Sequence, residues 1–427
     1  MLLKKTKIAI AGVGTVGSGV IELIKRNSIQ KNFGIEVTAI ASRRKLKKAN
    51  LGFSSANFFN DAERLINFDN YDILVELIGG DEGISKKIVF DALKKGKSVV
   101  TANKALVSKH WKKLNEITKK KKSEIKYEAA VAGGIPIIKV LNDFLISNKI
   151  KKIYGILNGT SNFILTKMLH SKSKFEKILE EAQQLGYAEA DPSFDIDGVD
   201  TSHKLAILSS LAFNFNCDLK SIYVEGIRNI DLTDLLYADE LGYKIKLLGI
   251  AQVRQKQIIN FVYPCLVGQN ELISKVDGVF NAIVIESDFC KKSFFQGEGA
   301  GSQPTATSVL SDIIDLSIKE SKEKLKPKVK ILKNINILDR SGSFYLRFST
   351  IDQPGVISGI TSEFKKNNIS MKTMLQKDGV PKEKKCATIV ITTHTCNESD
   401  MMKALKKINN LKFVLKKTAY IRIESFK

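Results

Sequence analysis

The sequence predicts an α/β fold with a doubly wound parallel sheet first, an α+β domain next and a small βαββαβ domain last. Three observations lead to this prediction. Short apolar runs alternate with helical stretches over residues 1–130, as in a parallel sheet with helical crossovers. From residue 131, longer helical stretches mix with segments rich in β-branched residues. From residue 343, four strand-like and two helix-like segments follow the order of a ferredoxin-like sandwich.

Composition limits the class of protein. A chain of 427 residues is long enough for two or three domains. The net charge of +23 comes from short, dispersed basic runs without interleaved aromatic residues, so we predict no nucleic-acid partner. No apolar run approaches the roughly 18 residues of a membrane span, and the start of the chain has no room for an export signal. Five cysteines lack paired spacing, which argues against zinc and disulfides. A soluble, cytoplasmic protein is expected.

The first element is a buried strand over residues 7–11, which leads directly into Gly12, Gly14 and Gly17 and then a helix. This glycine spacing between a strand and a helix is typical of dinucleotide-binding turns in Rossmann-type sheets. The first glycine permits the turn, the second lets backbone N–H groups approach a pyrophosphate, and the third allows close helix packing. We predict cofactor contacts along the whole turn, at Gly12, Val13, Gly14, Thr15, Val16 and Gly17.

The second strand, residues 35–41, ends at Ser42, Arg43 and Arg44 with no carboxylate. An acid at this position would bind the ribose 2′-hydroxyl of NAD. Two guanidinium groups instead favour a 2′-phosphate. We therefore predict NADPH as the cofactor and leave open whether NADH is also accepted.

The later elements define the predicted domain boundaries. Strands at 71–78 and 98–101 and a helix at 85–95 complete the cofactor domain, residues 1–130. A helix at about 303–320 is expected to return to it. Residues 131–302 form the substrate-binding, catalytic and dimerisation domain. A charged linker, 321–342, leads to the C-terminal domain, 343–427.

Residues 186–204 combine several carboxylates with one lysine. Asp200 and Lys204 are four apart and share a helix face. Read alone, the pair could be a surface ion pair. A calcium loop is a second alternative, but alignment on Gly198 puts Lys204 where the bidentate glutamate belongs. A cation at that position excludes calcium binding.

Five segments together resemble the homoserine dehydrogenase family over the whole chain: residues 12–19, 100–106, 127–136, 155–162 and 186–204. No aspartokinase-like region precedes Met1, so the resemblance is to the monofunctional enzymes. It implies reduction of aspartate β-semialdehyde to homoserine with NAD(P)H, in threonine, methionine and isoleucine biosynthesis, by a homo-oligomer. The alternative is another NAD(P)-dependent oxidoreductase of a small amino-acid substrate.

The resemblance also implies roles for individual residues. Lys204 matches the family's proton donor. Lys104 matches a lysine beside cofactor and substrate and is the rival donor. Glu189 and Asp200 match carboxylates that hold the substrate's α-ammonium group, and Thr160 matches a contact to its carboxylate. Further cofactor contacts are implied at Thr101, Lys104, Gly186 and Gly301. A structural sodium ion is implied at Glu128, Val131, Gly133 and Ile135.

Residues 349–360 resemble the signature of ACT domains, which sense amino acids. The resemblance implies an effector at Asp352 and Gly355, and threonine is the expected one. Pro354 is expected in the first turn of the following helix. An RNA-binding domain shares the same element order and would need exposed aromatics on its central strands. The first strand offers Phe344, Tyr345 and Phe348, and the third strand, residues 386–393, offers none. A chain ending near residue 341 is expected to stay active, provided that the ACT domain is not needed for assembly, and to lose any sensitivity to threonine.

Overall fold

The computed structural model describes residues 5–26, 29–43, 52–318, 329–378 and 386–426. The chain divides into two compact units. The first contains Met1–Gly159, Asp200–Ile222 and Phe280–Leu332, and the second contains Thr160–Val199, Tyr223–Val279 and Lys333–Lys427. Each unit is therefore assembled from three separate stretches of sequence.

The strands of the described residues are β1 (Thr6–Ala11), β2 (Ile35–Ala41), β3 (Asn57–Phe59), β4 (Ile73–Glu76), β5 (Ser98–Thr101), β6 (Ile125–Lys126), β7 (Ile150–Ile156), β8 (Tyr223–Val224), β9 (Tyr243–Arg254), β10 (Gln257–Gly268), β11 (Phe280–Ser287), β12 (Lys292–Glu298), β13 (Lys333–Asn334), β14 (Ser341–Ile351), β15 (Met371–Asp378), β16 (Cys386–Thr393), β17 (Cys396–Asn397) and β18 (Ala419–Glu424). The α-helices are α1 (Thr15–Lys25), α2 (Ile29–Phe33), α3 (Gly83–Lys94), α4 (Lys104–Lys121), α5 (Ile137–Lys139), α6 (Gly159–Ser171), α7 (Phe175–Gln184), α8 (Ser193–Ile196), α9 (Val199–Phe213), α10 (Leu232–Glu240), α11 (Ser302–Ile318), α12 (Val356–Lys366) and α13 (Glu398–Ile408). No helix among the described residues is both long and apolar enough to cross a membrane.

The first unit contains the predicted parallel sheet, in the order β3-β2-β1-β4-β5-β6. Its central strands are apolar on both sides, as parallel sheets covered by helices require. One hydrophobic cluster joins the sheet to α1 and α11, and a second joins it to α3 and α4. The Rossmann-type fold predicted from the glycine turn and the alternating pattern is confirmed. Helix α11 lies against α1, where the Ser302 hydroxyl donates to the Thr15 carbonyl over 2.7 Å.

The first unit also holds three antiparallel strands, with β11 between β7 and β12. Ala282 of β11 pairs with Ile156, the last residue of β7. The next two residues, Leu157 and Asn158, follow the end of β7 and precede α6. This register brings the end of β7 beside the start of β11.

In the second unit the long hairpin β9–β10 continues into the C-terminal domain. Strand β10 pairs in parallel with β18, and β18 pairs with β14, which leads on to β16 and β15. Arg422 of β18 is buried and forms ion pairs with Glu225 at 2.6 Å and with Glu398. The expectation that a chain ending near residue 341 stays active remains a prediction, and it must account for this pairing of β18 with β10. Removal of β18 would leave unpaired backbone groups along β10.

The βαββαβ order of the C-terminal domain is confirmed. Phe344 and Phe348 are fully buried in its core, and Tyr345 is also buried, with its hydroxyl donating to Asp234 over 3.1 Å. None of these three aromatic rings is exposed for base stacking, so the RNA-binding alternative is not favoured. One local detail differs from expectation. Helix α12 begins at Val356, after Gly355 at φ +91°, so Pro354 precedes the helix.

Candidate active site

The glycine turn between β1 and α1 has the geometry of a phosphate-binding loop. Gly12 has φ +103°, and a Cβ there would lie 2.7 Å from the Leu77 carbonyl oxygen. At Gly14, by contrast, a Cβ would have no neighbour within 4 Å, so the backbone faces open space. Helix α1 starts at Thr15 without a side-chain cap. Its first N–H groups are therefore directed at that space.

A cavity adjoins this turn and reaches the end of β2. Its walls are formed by Gly12, Val13, Gly14, Ala41, Ser42, Arg43, Asp61, Ala62, Leu77, Ile78 and Ile84. Of the two arginines predicted to select the cofactor, Arg43 lines the cavity and is exposed. Arg44 lies outside the described residues. The turn and the end of β2 thus form one surface, as the sequence predicts for a dinucleotide site.

A buried hydrogen-bond network shapes the ends of β4 and β5. Glu76 is fully buried and accepts hydrogen bonds from the backbone N–H groups of Ile78 at 2.9 Å and Gly79 at 3.0 Å. Its second oxygen accepts the Thr101 hydroxyl at 2.6 Å. The hydroxyl of Thr101, a predicted cofactor contact, is thus directed at Glu76. Sequence reasoning missed Glu76, although a carboxylate at the end of an apolar strand, shortly before two glycines, was a usable signal.

Two lysines and one asparagine of the first unit meet at Asp200. Lys204 Nζ lies 2.9 Å from Oδ2 of Asp200 and donates to the Leu157 carbonyl over 2.6 Å. Lys104 Nζ pairs with Oδ1. Asn158 donates to Oδ2 at 2.8 Å. Each oxygen of this carboxylate therefore has a cationic partner.

Burial by itself would raise the pKa of Asp200, but the ammonium groups of Lys204 and Lys104 outweigh burial and hold it well below the usual range. The carboxylate therefore stays charged at neutral pH. The two lysines differ in exposure: 9% of the Lys204 side chain is accessible, against 34% for Lys104. Helix α9 supplies Asp200 and Lys204 from one face, and Lys104 is the first residue of α4, where Asn103 caps the helix.

A second carboxylate group lies around Glu128, which is buried. Its two oxygens accept the backbone N–H groups of Ile138 and Lys139, each at 2.8 Å. Asp312 of α11 accepts the N–H of Glu128 at 2.8 Å. Burial raises the pKa of Glu128 to about 7, and the nearby Asp312 adds to the rise. Burial likewise raises the pKa of Asp312 to about 6.

The loop after Glu128 contains the other residues of the predicted sodium site. Val131, Gly133 and Ile135 are buried. The carbonyl of Gly133 accepts the Ser308 hydroxyl at 2.6 Å, and the carbonyl of Ile135 accepts the Ile137 N–H at 2.8 Å. A carbonyl oxygen has two lone pairs, so each keeps acceptor capacity.

The second unit contains the remaining predicted substrate residues. Thr160 lies in the first turn of α6 and donates its hydroxyl to the Tyr187 carbonyl at 2.6 Å. Glu189 is exposed, and its own carbonyl accepts the Gln183 amide at 3.1 Å. Gly186 has φ +74°, a conformation that suits glycine.

Comparison with known proteins identifies the family. Residues 12–128 match the family model "Homoserine dehydrogenase, NAD binding domain" and residues 136–314 match "Homoserine dehydrogenase". Relatives named homoserine dehydrogenase include one from Neisseria gonorrhoeae, 38% identical over 99% of both chains, and one from Helicobacter pylori, 40% identical over 99% of this chain and 100% of its own. The chain belongs to the homoserine dehydrogenase family.

Solved structures support the same family assignment. A homoserine dehydrogenase from Thiobacillus denitrificans has a TM-score of 0.91 at 37% identity and 99% coverage of both chains. A hyperthermophilic archaeal homoserine dehydrogenase in complex with NADPH has a TM-score of 0.63 at 31% identity, over 75% of this chain and 100% of its own. The protein is therefore an NAD(P)-dependent oxidoreductase that interconverts homoserine and aspartate β-semialdehyde. Residues 344–413 match the ACT domain, the type suggested by residues 349–360.

Proposed function

We propose that Lys204 is the proton donor when aspartate β-semialdehyde is reduced to homoserine, and the proton acceptor in the reverse direction. The supporting observation is the fixed position of its ammonium group between the Leu157 carbonyl and Asp200. A buried ammonium held in one direction stabilises a developing alkoxide and can deliver a proton to it. Lys104 occupies the more exposed side of the same carboxylate and is the rival donor.

The test compares Lys204→Met with Lys104→Met. Loss of acid catalysis should lower kcat of Lys204→Met by roughly 10²-fold or more, with the affinity for NADPH and the melting temperature little changed. Lys87→Met, at an exposed lysine paired with Glu63, serves as the control and should keep full activity. Normal turnover by Lys204→Met together with a crippled Lys104→Met would reverse the two roles.

The cofactor is proposed to be NADPH, with NADH as a weaker substitute. The residues fit the group: Gly12 and Gly14 form an open turn at a helix N-terminus, and Arg43 lies on the same cavity. When bound, NADPH supplies the hydride. Val13, Thr15, Val16 and Gly17 would complete the phosphate contacts, and the resemblance adds Thr101, Lys104, Gly186 and Gly301.

Replacement of both Arg43 and Arg44 by alanine should raise KM for NADPH much more than KM for NADH. Two charge-assisted contacts to a 2′-phosphate are worth roughly 2–4 kcal/mol together. Arg26→Ala, at an exposed arginine paired with Glu22, is the matched control. Equal effects on both cofactors would show that the arginine pair does not contact the phosphate.

We also propose that a sodium ion binds at Glu128 and the carbonyls of Val131, Gly133 and Ile135. The donor set fits a hard cation, because it combines one carboxylate with backbone carbonyl oxygens. The raised pKa of Glu128 supports the proposal, since a cation would stabilise the charged form.

The substrate's α-ammonium is assigned to Glu189 and Asp200, and its carboxylate to Thr160, on the resemblance alone.

For regulation, we propose that threonine binds the ACT domain at Asp352 and Gly355. Both residues are exposed just before α12, where Asp352 can pair with an ammonium group and the helix N–H groups with a carboxylate. The test is calorimetry of the full chain with threonine beside an inhibition assay, in wild type and Asp352→Ala. No heat and no inhibition at millimolar threonine would refute the proposal.

We further propose that the protein is a cytoplasmic homo-oligomer. Light scattering would measure its oligomeric state.

A further inference from the structure

The backbone carbonyl of Leu157 accepts two side-chain donors. Lys204 Nζ lies 2.6 Å from this oxygen, and Nδ2 of Asn281 lies 3.1 Å from it. All three residues belong to the first unit. The nitrogen of Asn281 and the ammonium of Lys204 therefore share one acceptor atom.

The antiparallel register explains how Asn281 reaches this carbonyl. Ala282 of β11 pairs with Ile156, the last residue of β7, so Asn281 lies opposite the residue that follows, Leu157. Asn281 is fully buried. Its own partner in β12 is Gly297, which adds no side chain on that side. The side chain of Asn281 therefore reaches the end of β7 because β11 is paired with both β7 and β12.

Gly299 shows how tightly the amide is held. A Cβ at Gly299 would lie 2.0 Å from Cγ of Asn281 and 2.1 Å from its Nδ2. The amide group of Asn281 therefore occupies the space that any other residue at position 299 would fill. With glycine on one side and the Leu157 carbonyl on the other, the amide has little freedom to rotate.

Stability alone does not account for an asparagine at this position. Its Oδ1 is buried and has no hydrogen-bond partner among the residues that the structure describes. An unpaired buried carbonyl oxygen is destabilising, and a leucine of similar size would avoid that penalty. Local conflicts of this kind are expected at functional positions.

We infer that Asn281 is a positioning residue for Lys204, acting through the carbonyl of Leu157. This inference rests on the proposed role of Lys204 as the proton donor. The amide of Asn281 fixes the direction of the Leu157 carbonyl and occupies part of its acceptor capacity. The carbonyl therefore orients the Lys204 ammonium but forms only a weak hydrogen bond with it. Without Asn281 the carbonyl can turn and bind the ammonium more strongly, which disfavours release of its proton.

The test measures homoserine oxidation across pH in Asn281→Leu and in the isosteric Asn281→Asp. Both should lower kcat by roughly 10- to 100-fold, the scale of a small misplacement of a catalytic group, while KM for NADP changes less than about 2-fold. The rising limb of the pH–rate profile should move to higher pH. The shift should be larger for aspartate, because its carboxylate would hold the proton on Lys204. An unchanged limb with normal kcat in whichever variant folds overturns the inference.

Thr38→Val is the matched control. The buried hydroxyl of Thr38 donates to the carbonyls of Ile8 at 3.3 Å and Asn70 at 2.7 Å. Its loss should lower the melting temperature and leave both kcat and the pH limb unchanged.

A double variant separates this inference from the proposed function. In the Lys204→Met background, Asn281→Leu should cause no further loss, because residues acting as a unit are non-additive. A further loss of 10-fold would mean that Asn281 acts independently of Lys204. If Lys204→Met itself is fully active, the proposed donor fails. If Lys204→Met is crippled and Asn281→Leu is normal, only the positioning role fails.

Discussion

Asp200 and Glu128 are equally buried carboxyl groups of the first unit, each 1% exposed, yet their pKa values move in opposite directions. The two ammonium groups facing Asp200 overcome the effect of burial and depress its pKa. For Glu128, burial and the neighbouring carboxyl group of Asp312 outweigh two backbone N–H donors and the attraction of Lys139, and its pKa rises to about 7. Burial favours the neutral acid at both positions.

At these two positions the nearby ammonium groups, and not the backbone hydrogen bonds, decide which buried acid stays ionised at neutral pH. Asp200 can then serve as a permanent counter-ion for two lysines. Glu128 is poised to change its charge near neutrality, which suits a group whose ionisation is coupled to cation binding. The following predictions test this comparison.

The largest effect is expected for Asp200→Asn. The change leaves Lys204 buried without its counter-ion, and breaking a buried ion pair typically costs about 3–5 kcal/mol. We expect the free energy of unfolding to fall by about 3 kcal/mol and kcat/KM by roughly 10³-fold. Denaturant titration and steady-state kinetics measure both effects.

Asp197→Asn is the control for this change. Asp197 is a partly exposed carboxylate that pairs with Arg228, and surface pairs contribute less than about 1 kcal/mol. Nearly wild-type stability and activity are expected. Equal losses in the two variants would mean that the burial of Asp200 between its lysines does not matter.

How far the sequence predicts these two regions depends on sequence separation. The pairing of Asp200 with Lys204 follows from helical spacing, and the glycine turn follows from the strand–helix context. Lys104 lies 96 residues before Asp200, so only the resemblance suggested that both serve one site. Asn281 and Gly299 gave no signal, because their contact depends on the register of β11 and on side-chain packing.

The C-terminal domain illustrates a second limit. Periodicity predicted its strands and helices closely, since each is a local pattern of apolar residues. The pairing of β18 with β10 joins residues more than 150 positions apart, and no local pattern encodes it. Sequence periodicity therefore cannot show whether the C-terminal domain is detachable, because long-range strand pairing decides that property.

Glu128 should make the stability of the folded state depend on pH. Its folded pKa of about 7 lies above its ordinary value of 4.5, so the folded state binds this proton more tightly than the unfolded state. Stability from this group is present below about pH 4.5 and is lost as pH rises through 7. We expect the loss to amount to about 1–3 kcal/mol, and Glu128→Gln should remove it.

Sodium should change the pH dependence of the melting temperature through Glu128. At pH 8, sodium chloride should raise the melting temperature of the wild type above its value in choline chloride of equal concentration. The difference should vanish at pH 5, where Glu128 is protonated, and in Glu128→Gln at both pH values. A sodium effect that survives in Glu128→Gln would place the ion elsewhere.

The smallest effect is expected for Glu76→Gln. Glu76 is buried like the other two carboxylates, and its described partners are three neutral donors: two backbone N–H groups and the Thr101 hydroxyl. Glutamine keeps an oxygen for the two N–H groups, and the Thr101 hydroxyl can turn to accept from the new NH₂ group. Only the difference in strength between the old and the new hydrogen bonds is lost, about 1 kcal/mol. Because Leu77 and Ile78 line the cofactor cavity, KM for NADPH should rise a few-fold while kcat stays nearly constant.

Glu63→Gln, at an exposed glutamate, is the control for this change. If Glu76→Gln proved as damaging as Asp200→Asn, neutral donors would matter as much as the two lysines, and the distinction between the regions would fail.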